Sequence, residues 1–174
     1  MPTVNVMLSS EQIQTRIAEL GKEISKRYEN LEEPLVLVGV LKGSFLFLAD
    51  LCRQISVPVE IEFIGVSSYG ESTKSSGVVQ ITQDLTRPIK NRSVLLVEDI
   101  VDTGLTAKYL LDNFKTREPS SVSLCSLLEK PAQNKGTIKI DFCGFQIPDQ
   151  FVVGFGLDWA QKMRNLPYVG VVES

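Results

Sequence analysis

The 174 residues carry 18 lysines and arginines against 21 aspartates and glutamates, a net charge of −3, with 43% hydrophobic and 22% charged residues. This composition is globular, suits one domain spanning 1–174 with a sizeable core, and gives no general attraction to nucleic acid or an anionic membrane. Histidine is absent, which removes Ser-His-Asp and Cys-His nucleophiles and His-bound zinc or iron, and leaves proton transfer to carboxylate, lysine, tyrosine, cysteine or water.

Met1–Met7 lacks a basic stretch followed by an apolar run, so no secretory signal is expected. Ser9-Ser10-Glu11-Gln12 has the form of a capping box, and Ile13, Ile17, Leu20 and Ile24 follow at helical spacing, predicting an amphipathic helix over 10–28. Leu35–Val40 reads as a strand buried on both faces, followed by a helix over Ser44–Ile55 and a strand over Val57–Val66. The apolar stretch Leu35–Cys52 is interrupted by Lys42, Gly43, Ser44 and Asp50, so no membrane span is expected. Ser67–Gly77 is rich in serine, threonine and glycine and reads as a mobile loop, with a strand on its far side over Val78–Thr82. Next come a buried strand (Ser93–Val97), a helix (Leu105–Phe114) and a third apolar strand (Val122–Leu128). Ile138–Phe142, Phe151–Phe155 and Tyr168–Val172 are further strand candidates, with a turn or short helix around Trp159–Asn165.

The pattern has no repeat and no linker, and its alternation of strands and helices predicts an α/β fold with a parallel sheet covered on both faces. In such sheets ligands sit beyond the carboxyl ends of the strands, which directs attention to the segments after Val40, Val97 and Leu128. Cys52, Cys125 and Cys143 are odd in number and far apart, which fits a reducing, cytoplasmic setting better than a disulfide framework.

The segment after Val97 is the most informative. Val94–Val97 feeds Glu98 and Asp99, and Asp102-Thr103-Gly104-Leu105-Thr106 then opens a helix. Gly104 permits close backbone approach, N–H groups converge at the helix start, and two threonine hydroxyls stand by, all features of a phosphate cradle. Two carboxylates beside an anion site make sense if they meet sugar hydroxyls or Mg²⁺; the bland alternative is an acidic turn with ordinary helix capping. Neither a nucleoside-triphosphate loop nor a dinucleotide fingerprint is present.

This segment resembles the phosphoribosyl-pyrophosphate signature of type I phosphoribosyltransferases, in the form seen in hypoxanthine-guanine phosphoribosyltransferases. Four other stretches agree in order: Gly39–Ser44, Ser67–Gly70, Ser126–Lys130 and Pro148–Asp158. The resemblance covers roughly residues 9–172 and implies a five-stranded parallel core sheet flanked by helices, with a small hood built from the terminal segments. It implies displacement of pyrophosphate from phosphoribosyl pyrophosphate by N9 of a 6-oxopurine, hypoxanthine and also guanine, with Mg²⁺.

By resemblance, Asp102 is the carboxylate beside purine N7 that moves the proton, Glu98 and Asp99 face the ribose hydroxyls and Mg²⁺, and Asp102, Thr103, Gly104, Leu105 and Thr106 wrap the 5′-phosphate. Lys42, Gly43 and Arg164 take the pyrophosphate side, with a cis peptide between Leu41 and Lys42. Lys130 reads the purine oxygen, Phe151 stacks on the base, Val152 meets its edge through the backbone, and Ile100 and Leu157 form apolar walls. Asp158 joins the base site and the Mg²⁺ set with Glu98 and Asp99, while Ser68 and Tyr69 belong to a lid. Two departures stand out: Gln150 replaces a frequent lysine, which bears on the ranking of hypoxanthine, guanine and xanthine, and Trp159 replaces a tyrosine. The competing readings are a regulator of the same fold that binds RNA or DNA, and a transferase for another base such as xanthine. Retention of Asp102, Lys130 and Asp158 favours catalysis on a 6-oxopurine without a nucleic-acid partner. A homo-oligomer, dimer or tetramer, is expected by resemblance.

Overall fold

The computed structural model describes residues 3–68 and 79–173, without the side chain of Ser68. Ser67 and Ser68, expected in the mobile loop, instead end a strand, and Tyr69 of the predicted lid lies outside the described residues. In chain order the elements are β1 (Val4–Leu8), α1 (Ser10–Arg27), β2 (Leu35–Leu41), α2 (Phe45–Cys52), β3 (Val59–Ser68), β4 (Val79–Gln83) and β5 (Ser93–Val101). These are followed by α3 (Leu105–Lys115), β6 (Ser121–Glu129), α4 (Pro131–Asn134), β7 (Phe142–Gln146), β8 (Val152–Val153) and β9 (Val169–Val172).

Five parallel strands, β3-β2-β5-β6-β7, form the centre of a six-stranded sheet, with β4 antiparallel on the outer edge of β3. The continuous apolar runs follow from burial on both faces. In β2, Leu35 and Leu37 pack towards Ile13, Ile17 and Leu20 of α1 and Phe47 of α2, whereas Val36 and Val38 belong with Leu110 and Phe114 of α3. The same alternation separates Leu95 and Val97 from Val94 and Leu96 in β5. Helix α1 begins as expected: the Ser9 hydroxyl accepts from Gln12 N–H, and the Gln12 side chain accepts from Ser9 N–H.

A second, three-stranded antiparallel sheet has the order β1-β9-β8 and joins both ends of the chain. Strand β1 is an addition to the sequence reading. It is half-exposed, and the partner that defines it, β9, lies at the opposite end of the chain.

Three boundaries need correction. Strand β5 continues through Glu98 and Asp99 to Val101, because Ile100 and Val101 still pair with Leu128 and Glu129 of β6. The strand expected over Ile138–Phe142 is instead β7 at Phe142–Gln146. Ile138 and Ile140 pack on the α3 side of the core outside any strand, and the Asn134 side chain takes the backbone groups of Ile138, accepting from its N–H and donating to its carbonyl. The strand expected over Phe151–Phe155 shrinks to two residues because Gly154, Phe155 and Gly156 all have positive φ. Trp159–Asn165 is a chain of turns with positive φ at Ala160, Gln161 and Met163.

Candidate active site

The carboxyl ends of β2 and β5 frame one cleft of about 350 Å³, lined by Lys42, Gly43, Glu98–Ala107, Asp158 and Arg164, among others. Each wall has a local cause. After β5, the chain turns at Asp102-Thr103-Gly104, and Gly104 has φ of 84°, a left-handed conformation that glycine adopts freely. The turn starts α3, whose first N–H groups lack intrahelical acceptors and carry the positive end of the helix dipole. Across β2, the peptide between Leu41 and Lys42 is cis. The next residue, Gly43, lies against the Asp99 carboxylate: a methyl group there would place its carbon 2.6 Å from Asp99 Cγ. Gly156 lies against the same turn, with no room for a side chain between it and the Gly43 carbonyl.

Charges divide the cleft. Glu98 is buried, and burial together with the neighbouring Asp99 pushes its carboxyl well above the usual range. Burial raises Asp99 to about 6 against the opposing pull of hydrogen bonds from backbone N–H groups and the Arg164 charge. In the same lining, Arg164 donates to the Gly156 carbonyl at 2.8 Å, pairs with Asp158 at 3.2 Å and donates to Gln161 Oε1 at 3.1 Å. Lys42 Nζ donates to the same Gln161 oxygen at 3.2 Å. One neutral acceptor thus holds two cations side by side, with Asp158 also accepting from Gln161 N–H.

A metal must be judged by its donors. Glu98, Asp99 and Asp158 offer hard oxygens around an open cleft, the ligand type Mg²⁺ takes. Among the described residues no group of three or more acidic or thiol side chains converges into a cage. The donor type of these residues fits a hard ion whose coordination substrate and water complete.

Beyond the β6 end, Lys130 is buried, and its ammonium lies 3.3 Å from Asp102 Oδ2 and 3.4 Å from Asp149 Oδ1. Its N–H donates to the Val101 carbonyl, joining the ends of β5 and β6. Phe151 is 55% exposed, an apolar ring left free of the core. Val152 and Leu157 are buried in the core, and Ile100 packs against that cluster while lining the cleft. The cleft thus collects Lys42, Gly43, Glu98, Asp99, Ile100, Asp102–Thr106, Asp158 and Arg164, whereas Lys130 adjoins it through Asp102 and Phe151, Val152 and Leu157 stand apart from its lining. Gln161 and Asp149 were not singled out from sequence; an exposed loop glutamine carries no signal, but Asp149 stands two residues before Phe151 in the Pro148–Asp158 stretch.

The phosphoribosyl transferase domain model matches residues 9–160. The hypoxanthine phosphoribosyltransferase of Salmonella typhimurium is 47% identical over 170 residues, spanning 98% of this chain and 96% of its own. Among solved structures, a hypoxanthine-guanine phosphoribosyltransferase from Bacillus anthracis superposes with a TM-score of 0.92 at 42% identity, covering 99% of this chain and 100% of its own. The Trypanosoma cruzi hypoxanthine phosphoribosyltransferase, in complex with the product IMP, gives 0.90 at 41% identity, covering 99% and 95% respectively.

Proposed function

This chain belongs to the phosphoribosyl transferase family, and from that premise we infer that it is a transferase of purine salvage which moves the phosphoribosyl group of phosphoribosyl pyrophosphate onto N9 of hypoxanthine, and of guanine, releasing pyrophosphate. The observation that carries this reading is the joining, around one cleft, of a helix-start phosphate cradle, a carboxylate pair and two cations, with a buried lysine paired to the Asp102 carboxylate of that cleft.

The chemistry builds positive charge on the ribose ring and negative charge on pyrophosphate as C1′ leaves one partner for the other. In this reading the backbone N–H groups of Gly104–Thr106 and the Thr103 and Thr106 hydroxyls hold the 5′-phosphate, fixing the sugar. Glu98 and Asp99 take the ribose hydroxyls and place negative charge under the ring. Lys42 and Arg164 receive the departing pyrophosphate. Asp102, half-exposed and within reach of the base, accepts the proton that the purine sheds as N9 attacks. Lys130 donates to the purine 6-oxygen, a contact an adenine amino group cannot accept. The Phe151 ring covers the base, Val152 offers its backbone to the purine edge, and Ile100 and Leu157 limit the pocket. Mg²⁺, held by Glu98, Asp99 and Asp158 together with substrate oxygens, would neutralise pyrophosphate charge. We read residues 1–174 as one domain, the three-stranded sheet being its hood and the Ser68-Tyr69 segment its lid.

No described helix is long and apolar enough to cross a membrane; a cytoplasmic homo-oligomer is the setting we propose. The test is stoichiometric: purified protein, phosphoribosyl pyrophosphate, Mg²⁺ and hypoxanthine should give IMP and pyrophosphate in equal amounts. Absence of nucleotide in that mixture would overturn the reading.

A further inference from the structure

We propose that Asp149 is a positioning residue of the base subsite: it shares the Lys130 ammonium with Asp102 and keeps that ammonium aimed at the purine 6-oxygen. The proposal rests on the reading of Lys130 as the base-recognising group and deepens it.

The Lys130 ammonium sits between two carboxylates from different parts of the fold. Asp102, 3.3 Å away, is on the turn after β5; Asp149, 3.4 Å away, is on the segment between β7 and β8. The lysine side chain is 9% exposed, while the two carboxylates are 50% and 46% exposed. A lysine ammonium has three donors and no acceptor. Asp102 takes one of them in a hydrogen bond and Asp149, on a different element, draws the ammonium by its charge, leaving donor capacity for a ligand. With a single carboxylate partner, the flexible four-carbon stem would follow that partner alone.

Asp149 is itself tethered. Its second oxygen accepts from Gln133 Nε2, and Gln133 lies on α4, which starts directly after Lys130. The contacts from Gln133 to Asp149 to Lys130 therefore form a ring closed by the four-residue segment Lys130–Gln133, and Asp102 meets the ammonium from outside it. Among the described residues, Lys130 is the only cation in ion-pair contact with Asp149, and the adjacent Gln150 is neutral. The two carboxylates divide the work. When Asp102 takes up the purine proton it loses its charge and half of the ammonium's compensation. Asp149 keeps its charge, because the Gln133 hydrogen bond and Lys130 hold its carboxyl below the ordinary range.

The test compares Asp149→Asn with the parent enzyme. Asparagine keeps the size and an oxygen for Gln133 but removes the charge. The KM for hypoxanthine should rise about 3- to 10-fold, the scale of a half-exposed ion pair that orients a buried donor. The KM for phosphoribosyl pyrophosphate should stay unchanged, and the preference for hypoxanthine over adenine should fall by a similar factor. Asp149→Glu should recover part of both losses, which a merely structural role would not give. Parental base KM and base preference in Asp149→Asn, or equal rises in both KM values, would overturn the proposal. If Asp149→Asn does not fold, Gln133→Leu unties Asp149 without altering its charge. It should raise the hypoxanthine KM by a smaller factor, and a parental value would likewise overturn the proposal. A parent protein that makes no nucleotide from hypoxanthine overturns the activity and this proposal together, whereas an active parent with an unaltered variant overturns this proposal alone.

Discussion

Gly43→Ala adds one methyl group at the narrowest point of the cleft. Its carbon would overlap Asp99 Oδ2 and stand 2.6 Å from Asp99 Cγ, whereas unstrained carbon pairs sit about 3.5–4.0 Å apart, so the carboxylate must retreat by at least about 1 Å. Asp99 has little freedom to do so, since its Oδ1 accepts from Ile100 N–H at 2.9 Å. The turn is itself confined, because Gly156 is already packed on the Gly43 carbonyl. Overpacking of this kind costs about 1–3 kcal/mol of stability, a loss a folded domain of this size tolerates. Displacing a positioned group by about 1 Å is more damaging to the reaction, on the order of 10²-fold. The expected outcome is a folded protein, by circular dichroism and a thermal midpoint lowered by a few degrees, whose kcat/KM for IMP formation falls about 10²-fold. A variant that unfolds normally and retains the parental kcat/KM would refute the idea that the Gly43–Asp99 contact sets the geometry of the cleft.

Asp102→Asn preserves shape but removes the proton acceptor, so kcat should fall about 10²- to 10⁴-fold; because Asp102 is half-exposed and Asp149 still faces the buried Lys130 ammonium, the thermal midpoint should fall by no more than a few degrees. Excess chelator should abolish turnover and leave the circular dichroism spectrum unchanged, since Glu98, Asp99 and Asp158 form no closed cage; full activity in chelator would contradict the Mg²⁺ assignment. Burial raises both Cys125 and Cys143, the latter to about 11. Alkylation of the native protein at pH 8, followed by peptide mapping, should therefore label Cys52 ahead of either, and early labelling of Cys143 would count against its protonated state.

The legible parts of this fold were those specified by neighbours in sequence. Continuous apolar runs revealed β2, β5 and β6 because burial on both faces demands them, and Ser9 with Gln12 marked the start of α1 within a single turn of helix. Glu98–Thr106 was readable for the same reason: strand end, turn glycine and helix start are contiguous, so the cleft's principal wall is local. What escaped depends on distant partners. Strand β1 exists through its pairing with β9, and β7 is displaced because Ile138 and Ile140 find burial against the α3 side while Asn134 occupies the backbone groups of Ile138. Phe151, an apolar residue that sequence alone would assign to a core strand, is exposed. Gln161 gains its role only when β2 and the turns after β8 bring Lys42 and Arg164 to one oxygen.

The most direct measurement is kcat/KM for nucleotide formation with hypoxanthine, guanine, xanthine and adenine in parallel, at fixed phosphoribosyl pyrophosphate and Mg²⁺. A site in which Lys130 donates to the 6-oxygen should convert hypoxanthine and guanine efficiently and adenine orders of magnitude less well, because adenine leaves that donor facing another donor. Equal rates with adenine and hypoxanthine, or no nucleotide from any 6-oxopurine, would contradict it.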